Sequence, residues 1–446
     1  MDQGEDFARD YARTLLTDLG IAVSAFPATA AAHPAIAWAL SGAMALTGHR
    51  DGAPVMCPAP LAACAEGALM ALAHCAGRGF PSNPGGARLL GERAAITGYG
   101  RNGPVSAGGS CRFIEAEHGW IALNLAREDD WRMLPALFEQ AIEADWSAVA
   151  AAARNMSAGT LVARGRELGL AVAAHRPPGP VRPWHEVMLE TGHAPRRNKT
   201  PVVVELASLW AGPLCGDLLG LAGARVIKVE GAGRPDGGRF GPPAFFDLLN
   251  ANKDSVALDL TTAQGREQLR ALIRSADIVI EGSRPRALEQ LGISAAELVG
   301  EREGLTWVGI TGYGRTGEAA NWIAYGDDAG VAAGLSTLLP DGPIFCSDAV
   351  GDPLTGLHAA LAAYARWQSG QGGLVSIAIR DVVRHCMAFA ELPSVEAAHA
   401  RAAEWQRILD AAGIAAAPPS AREPSESARP LGADTESVLR EFGVAC

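Results

Sequence analysis

From Pro201 onward, short apolar runs alternate with amphipathic stretches along the chain. PVVVELAS, from Pro201, is a continuous run of strand length rich in β-branched residues, GPLCGDLLGLAG reads as a helix stopped by glycine, and ARVIKVE as a second strand. SVALDL, the helical TAQGREQLRALIRSA, the strand DIVIEG, the short helix RALEQLG and the strand LTWVGITG follow. This succession predicts an α/β fold with an open, mostly parallel, Rossmann-like sheet and helices on both faces. A ligand then belongs at the carboxyl ends of the strands.

The first 200 residues are patterned differently. Ala-rich helical stretches run to about residue 78, a Gly-rich piece with strand character follows in SAGGSCRFIEAEHGWIALNLA, and helical periodicity then returns. We therefore expect a helical and small α+β domain over residues 1–185, a linker over 186–200 and the α/β domain over 201–446. RPPGPVRP, Arg176 to Pro183, has the composition of a semi-rigid connection. APPSAREPSESARP forms a second break before a short final helix.

The two halves also echo each other. PVMCPAPLAACAEGALMALA, from Pro54, aligns without a gap on PIFCSDAVGDPLTGLHAALA, from Pro343, setting Cys57 on Cys346, Gly67 on Gly356 and Ala63 on Asp352. VARGRELGLAVAA similarly matches WQRILDAAGIAAA. Two readings stand: a degenerate partial copy, or the chance likeness of apolar helices.

Charge and composition narrow the function. Over 446 residues the net charge is -11 with no Lys/Arg run, which argues against a nucleic-acid partner. The start, MDQGEDFARDYARTL, is acidic where a secretory signal needs a basic segment and an apolar core. No apolar run approaches the roughly 18 residues of a membrane span. Eight scattered cysteines show neither C-x-x-C pairs nor zinc-type spacing. The expectation is a reduced, cytoplasmic protein with no membrane association and no metal.

ITGYGRNG, from Ile96, and ITGYGRTG, from Ile310, each contain G-x-G-x-x-G. A dinucleotide fingerprint also needs a helix directly after the glycines and an acid about 20 residues on. Pro104 and a Gly/Ser run follow the first copy, and VAAGLSTLLP occupies the acid's place after the second. We read both as Gly-rich turns leaving strands.

ELASLWAGPLCGDLLGLAGARVIKVE, FFDLLNANKDSVALDL, DIVIEGSRPRALEQLG, ITGYGRTGE and GDPLTGLHAALAAY occur in the order of the class III CoA-transferase family (CaiB/BaiF type), which the block from Pro201 to about Gly373 resembles. SAGGSCRFIEAEHGWIALNLAREDDW is similar to that family's small domain, but here it precedes the sheet instead of following it. The resemblance implies transfer of CoA from an acyl-CoA to a carboxylic acid through an aspartyl anhydride and an aspartyl-CoA thioester. The CoA ester is then a substrate, and no tightly bound cofactor is implied.

The nucleophile it implies is Asp352 of GDPLTG, with Gly351 allowing close approach. Read without the family, Asp352 before Pro353 is also a natural N-cap and N1 pair. The resemblance further implies CoA contacts at Asn250, Lys253, Leu258, Gly282 and Ser283, and an acyl-CoA passage beside Gly312 and Gly314; Trp210, before AGP, reads equally as a wall of the thioester pocket or as filling of the sheet–helix core. Basic residues usual in the family are replaced by Gly231 and Gln290, which points to Arg284 or Arg286 as substitutes. Asp327 and Asp328 read as capping or solvated turn residues, and His358 as a core histidine. The alternatives are an acyl-CoA racemase or isomerase, whose histidine after the GYG turn is missing from WIAYGDDAG, and a CoA-ester-binding protein without turnover. Relatives form intertwined dimers, so a homodimer is expected, unless the fused half-copy completes a pseudo-dimer within one chain.

Overall fold

A computed structural model describes residues 6–23, 26, 32–77, 79, 80, 85–195 and 200–444. Cys446 and part of the expected linker, 196–199, lie outside them. Among the described residues, no helix is long and apolar enough to cross a membrane.

Among the described residues, ten strands form two sheets. β1 (Cys111–Glu115), β2 (Trp120–Asn124) and β3 (Ala171–Ala174) make a small antiparallel sheet in the order β1-β2-β3. The remaining strands are β4 (Glu186–His193), β5 (Val202–Leu206), β6 (Arg225–Gly231), β7 (Lys253–Leu258), β8 (Ile278–Glu281), β9 (Thr306–Thr311) and β10 (Gln371–Ala378). They form one sheet in the order β4-β10-β9-β8-β5-β6-β7, parallel throughout except for β4. The order reverses between β5 and β8, which opens a crevice at their carboxyl ends. The α/β class and the mostly parallel sheet agree with the sequence reading. Residues 186–193, expected in a linker, instead form the edge strand β4. Its exposed Glu186, Glu190 and His193 keep an open edge polar.

Each face of the large sheet is covered by a different kind of helix. Ala263–Ser275 is amphipathic, capped by the Thr262 hydroxyl, and buries Leu269, Leu272 and Ile273 against one face. On the other face, Ala211–Leu221 and Gly351–Ser369 are apolar nearly all round because they lie between the sheet and a further layer. That layer comes from the N-terminal segment. Phe7–Asp18 and Leu61–Ala76 bury Tyr11, Leu15, Leu16, Leu69 and Leu72 in the same core as Leu354, Leu357 and Leu361. Residues 114–174 have a core of their own beneath the small sheet, built on Ile121, Leu123, Leu161 and Val172. The other side of the small sheet packs Cys111, Phe113, Ala122 and Ala173 against Val331 and Phe345, so the stretch read as one N-terminal domain is divided among three buried clusters.

The echoed segments also occupy equivalent settings. A β-carbon on Gly67 would meet the Ala8 carbonyl and, at 3.1 Å, the Tyr11 β-carbon; one on Gly356 would meet the Ala211 carbonyl at 2.9 Å and the Leu214 β-carbon at 3.1 Å. In both cases the contacts are three residues apart on the crossing helix. Cys57 and Cys346, aligned in the echo, lie beside each other. The second echo is not matched in this way: its left-handed glycines, Gly169 and Gly413, stand one position apart in the alignment, the first helix leads into β3 in the core beneath the small sheet, and the second belongs to the core of the large sheet.

Candidate active site

The Gly351–Ser369 helix leads back to the start of β10, so its own start lies at the carboxyl end of the large sheet, the end on which the crevice opens. Its N-cap position is Val350, with no side chain capping the turn. The capping role for Asp352 is therefore not the one found. Asp352 stands one residue inside the helix, where its Oδ2 accepts from the Gly326 N–H at 3.1 Å. Gly326 opens a second helix, Gly326–Ala332. The two helix starts meet only because both residues are glycine. A β-carbon on Gly351 would lie 2.7 Å from Ile379 Cγ2 and 3.0 Å from the Gly326 carbonyl, and one on Gly326 would lie 2.7 Å from Asp352 Oδ2.

Three more carboxyl groups surround this contact, all on buried residues. Asp327 Oδ1 accepts from Ala349 N at 2.9 Å, and Asp328 Oδ1 accepts from Tyr325 N at 2.9 Å. Asp348 has a fully buried side chain, paired with Arg93 through two hydrogen bonds, one of them Nε to Oδ2 at 2.9 Å. Burying a carboxylate is costly without such a partner. Burial pushes Asp352 up to about 6, against the opposing pull of Arg93 and the Gly326 N–H. Asp327 is pushed up to about 7 by burial and then by Asp348, and Asp328 to about 8 chiefly by burial. Arg93 also lies over the Trp210 ring at 5.0 Å and the Tyr99 ring at 5.9 Å, joining the N-terminal segment to the end of β5.

Backbone strain concentrates at the same place. Ser347 and Ala349, on either side of Asp348, have φ of 60° and 44°. The N-terminal segment holds this loop, since Ser347 N donates to Thr47 Oγ1 at 2.9 Å and Ser347 Oγ to the Leu90 carbonyl at 3.4 Å. Across the crevice Leu209 has φ 71°, its N–H donating to Asp236 Oδ1 at 2.9 Å.

The other residues singled out from the sequence divide into two groups. Trp210 is buried beside Arg93, and Gly282, Ser283 and Arg284 follow β8 at the crevice, with Gly282 exposed. Gly312 packs against Ala324, and Gly314 turns the chain after β9 at φ 106°. Lys253, Asn250 and Leu258 do not face the crevice. The Lys253 ammonium is buried on Glu205 at 2.7 Å, the Pro213 carbonyl at 2.8 Å and Asn250 Oδ1 at 3.0 Å. Asn250 spends its amide on Lys253 and the Phe246 carbonyl, and Leu258 lies in the core of the opposite face. A buried, paired ammonium has no donor left for a phosphate. Asp327 and Asp328 do serve helix and loop N–H groups, but inside the protein and not in solvent. His358 is a satisfied core histidine, with Nε2 2.8 Å from the Tyr11 hydroxyl and Nδ1 2.7 Å from the Leu354 carbonyl.

The two GYGR turns differ in context. The second leaves β9, and its Arg315 folds back onto buried Glu281 at 2.6 Å. The first leaves the helix Glu92–Thr97, not a strand as expected, and its Arg101 donates to the His49, Gly52 and Ala45 carbonyls. Each arginine closes a loop; neither turn is followed by a long helix.

The sequence profile of CoA-transferase family III matches residues 201–401, the segment that carries β5 to β10 and Asp352. That segment belongs to CoA-transferase family III. Among curated relatives, the succinyl-CoA–D-citramalate CoA-transferase of Chloroflexus aurantiacus is 34% identical over 195 residues, 41% of this chain and 48% of that protein. The succinate–glutarate CoA-transferase of Agrobacterium fabrum is 34% identical over 203 residues, 40% of this chain and 50% of that one. The formyl-CoA:oxalate CoA-transferase of Escherichia coli is 31% identical over 195 residues, 41% and 47%. The chain thus spans about half the length of the curated relatives it matches. Among solved structures, Rv3272 from M. tuberculosis is 30% identical, with a TM-score of 0.40 over 44% of this chain and 57% of that one. A CAIB/BAIF family protein from Brucella suis is also 30% identical, with a TM-score of 0.39 over 44% and 55%.

Arg93, Tyr99 and Thr47 lie outside the family III segment, and sequence reasoning missed them. Nothing local marks them as site residues, because they reach the loop before Asp352 only through tertiary folding. Asp348 had a visible signal: it stands in the same short run as Asp352, and an acid so close to an apolar helix start calls for a partner.

Proposed function

We propose that this protein is a CoA-transferase that moves CoA from an acyl-CoA to a carboxylic acid, with Asp352 as nucleophile. One observation carries the reading. In the family III segment, Asp352 puts an uncapped carboxylate at a helix start beside the crevice, with a single N–H on one oxygen. The other oxygen is left to attack.

Asp352 attacks the thioester carbonyl and expels CoA thiolate, leaving a mixed anhydride. The thiolate attacks the aspartyl carbonyl, releasing the first acid and leaving an aspartyl-CoA thioester. The acceptor carboxylate then attacks this thioester to form a second anhydride, and the thiolate takes the new acyl group and frees Asp352. Each step exchanges one activated carbonyl for another, so no external energy source is needed. The helix N-terminus favours the ionised nucleophile that burial opposes.

CoA carries phosphates, and the crevice has guanidinium groups to meet them. Arg284 is lowered by burial and then by Arg286, Arg127 and Arg234, which places four positive groups together. Arg234, Arg284 and Arg286 form no ion pair among the described residues, whereas Arg127, which reaches this edge by donating to the Gly169 carbonyl at 3.1 Å, is itself paired with Asp130. Arg234, Arg284 and Arg286 are then the groups for the phosphates, in place of Lys253. Exposed Leu209 and Phe240 on neighbouring loops offer apolar surface for the rest of the ligand.

For assembly, the equivalent packing of the two echoed helix pairs favours a pseudo-dimer closed within one chain over the homodimer first expected. The function is tested by incubating the protein with pairs of acyl-CoA and free acid and following CoA exchange by mass spectrometry. Absence of exchange across short mono- and dicarboxylic acids, by protein that binds CoA esters, would leave binding alone.

A further inference from the structure

The small sheet and the Gly326–Ala332 helix meet at two buried polar side chains. Asn124, at the end of β2, is 2% exposed, and Asp328, in the first turn of the helix, is 0% exposed. Asn124 Nδ2 donates to Asp328 Oδ1 at 3.4 Å, and the same oxygen accepts from Tyr325 N at 2.9 Å. The other two atoms, Asn124 Oδ1 and Asp328 Oδ2, are buried with no hydrogen-bond partner among the described residues. Both are acceptors when Asp328 is ionised. Two orphaned acceptors at one contact are a costly arrangement that native proteins avoid.

We propose that Asp328 is held as a neutral carboxylic acid whose Oδ2–H donates to Asn124 Oδ1, closing a two-bond acid–amide ring that fastens the small sheet to the helix whose first N–H holds Asp352. One proton satisfies both orphaned atoms. An amide is the matching partner because it carries a donor and an acceptor side by side in one plane. Burial and then Asp327 favour the neutral form, against the Tyr325 N–H and the Asn124 amide donor, which favour the charged one. Asp327 and Tyr325 face the carboxyl from its own helix start, Cys111 from β1 and Tyr313 from the turn after β9, and none of these is a cation. The nearby guanidinium groups of Arg166 and Arg380 lie over the Tyr313 ring at 5.0 and 5.5 Å. Burial accordingly pushes Asp328 up to about 8. Asp328 is a positioning residue, and the inference stands on this contact whether or not the protein transfers CoA.

The test is the pH dependence of unfolding in the wild type, Asp328→Asn and Asn124→Leu. A folded-state midpoint near 8 lies above the unfolded value of about 3.9, so the stabilisation is complete below about pH 4 and is lost as pH rises towards 8. Asp328→Asn keeps a two-bond ring, amide to amide, without the titration. Its folded-to-unfolded ratio, relative to wild type, should therefore rise about tenfold per pH unit between pH 5 and 8 and then level off. Asn124→Leu should lower stability while keeping the wild-type slope. Above pH 8, hydrogen exchange of 120–125 and 326–332 should speed up in the wild type beyond the base-catalysed rise common to all amides, and in Asp328→Asn it should show that common rise alone. Parallel pH profiles for wild type and Asp328→Asn would overturn the proposal. A second measurement needs no variant. In protein labelled with carboxyl-¹³C aspartate, infrared absorption of a protonated carboxyl should persist above pH 7, past the midpoint of Asp327, and disappear near 8. Its absence above pH 7 would equally sink the idea.

Discussion

At the scale of single residues, Asp352 and Arg93 have to be considered together. Asp352 is recognisable from GDPLTG, but its ionisation depends on a guanidinium far away in sequence. Among the described residues, Arg93 is the cation that pulls on Asp352, and it opposes the effect of burial. Replacing it with methionine should move the Asp352 midpoint upward from about 6, so that the acid limb of transfer activity shifts to higher pH. On that limb, each pH unit of rise lowers the ionised fraction about tenfold at fixed pH. Arg93→Lys should recover part of the shift. A pH–rate profile unchanged in a folded Arg93→Met protein would show that Arg93 only packs the loop. The nucleophile itself is tested by trapping. Acyl-CoA followed by hydroxylamine or borohydride should modify the peptide containing Gly351-Asp352-Pro353, and Asp352→Asn should abolish labelling while still binding CoA esters. A label on another peptide, or normal turnover by Asp352→Asn, removes Asp352 from the mechanism.

At the scale of elements, the site is made by two helix starts that touch through glycine. Gly351→Ala would place a methyl group 2.7 Å from Ile379 Cγ2 and 3.0 Å from the Gly326 carbonyl. Overpacking of this kind typically costs about 1–3 kcal/mol. It should also part Gly326 N–H from Asp352, so that thermal stability and trapping at Asp352 fall together. Full trapping in Gly351→Ala would mean the contact does not position the carboxylate. The alternating strands and helices from β5 to β9 were legible because parallel strands buried on both faces read as continuous apolar runs. β10 was less visible, since it opens with Gln371-Gly372-Gly373 and glycine is a poor strand former. Close packing explains those glycines, because a β-carbon on Gly372 would meet Gly304 N at 2.6 Å and one on Gly373 the Leu189 carbonyl at 2.5 Å. β4, half-exposed and polar, lacks the buried face that would have distinguished it from a linker. Lys253 was misread for the opposite reason. Lysines are mostly solvated, and nothing local shows that Glu205 will be folded against this one.

At the scale of the whole molecule, the order of segments in the chain was legible, but their partition into cores was not. Periodicity reports which face of a helix is apolar and says nothing of what covers it. Leu61–Ala76, apolar nearly all round, had to be enclosed by something, and it lies against Gly351–Ser369 in the core shared with the large sheet. The enclosure has the form of an internal pair. Gly67 sits on Phe7–Asp18 as Gly356 sits on Ala211–Leu221, and Cys57 meets Cys346. Ala63 stands where Asp352 stands in the other member, so one member of the pair supplies the proposed nucleophile and the other supplies Arg93 and the small sheet. On the proposed pseudo-dimer reading, a second copy of the chain is not needed to complete the site. Light scattering at micromolar concentration should return a single-chain mass near 46.2 kDa, and transfer rates per chain should not change on dilution. A mass twice as large, with activity falling on dilution, would show that the internal pair does not replace a partner subunit and that the homodimer is the working form.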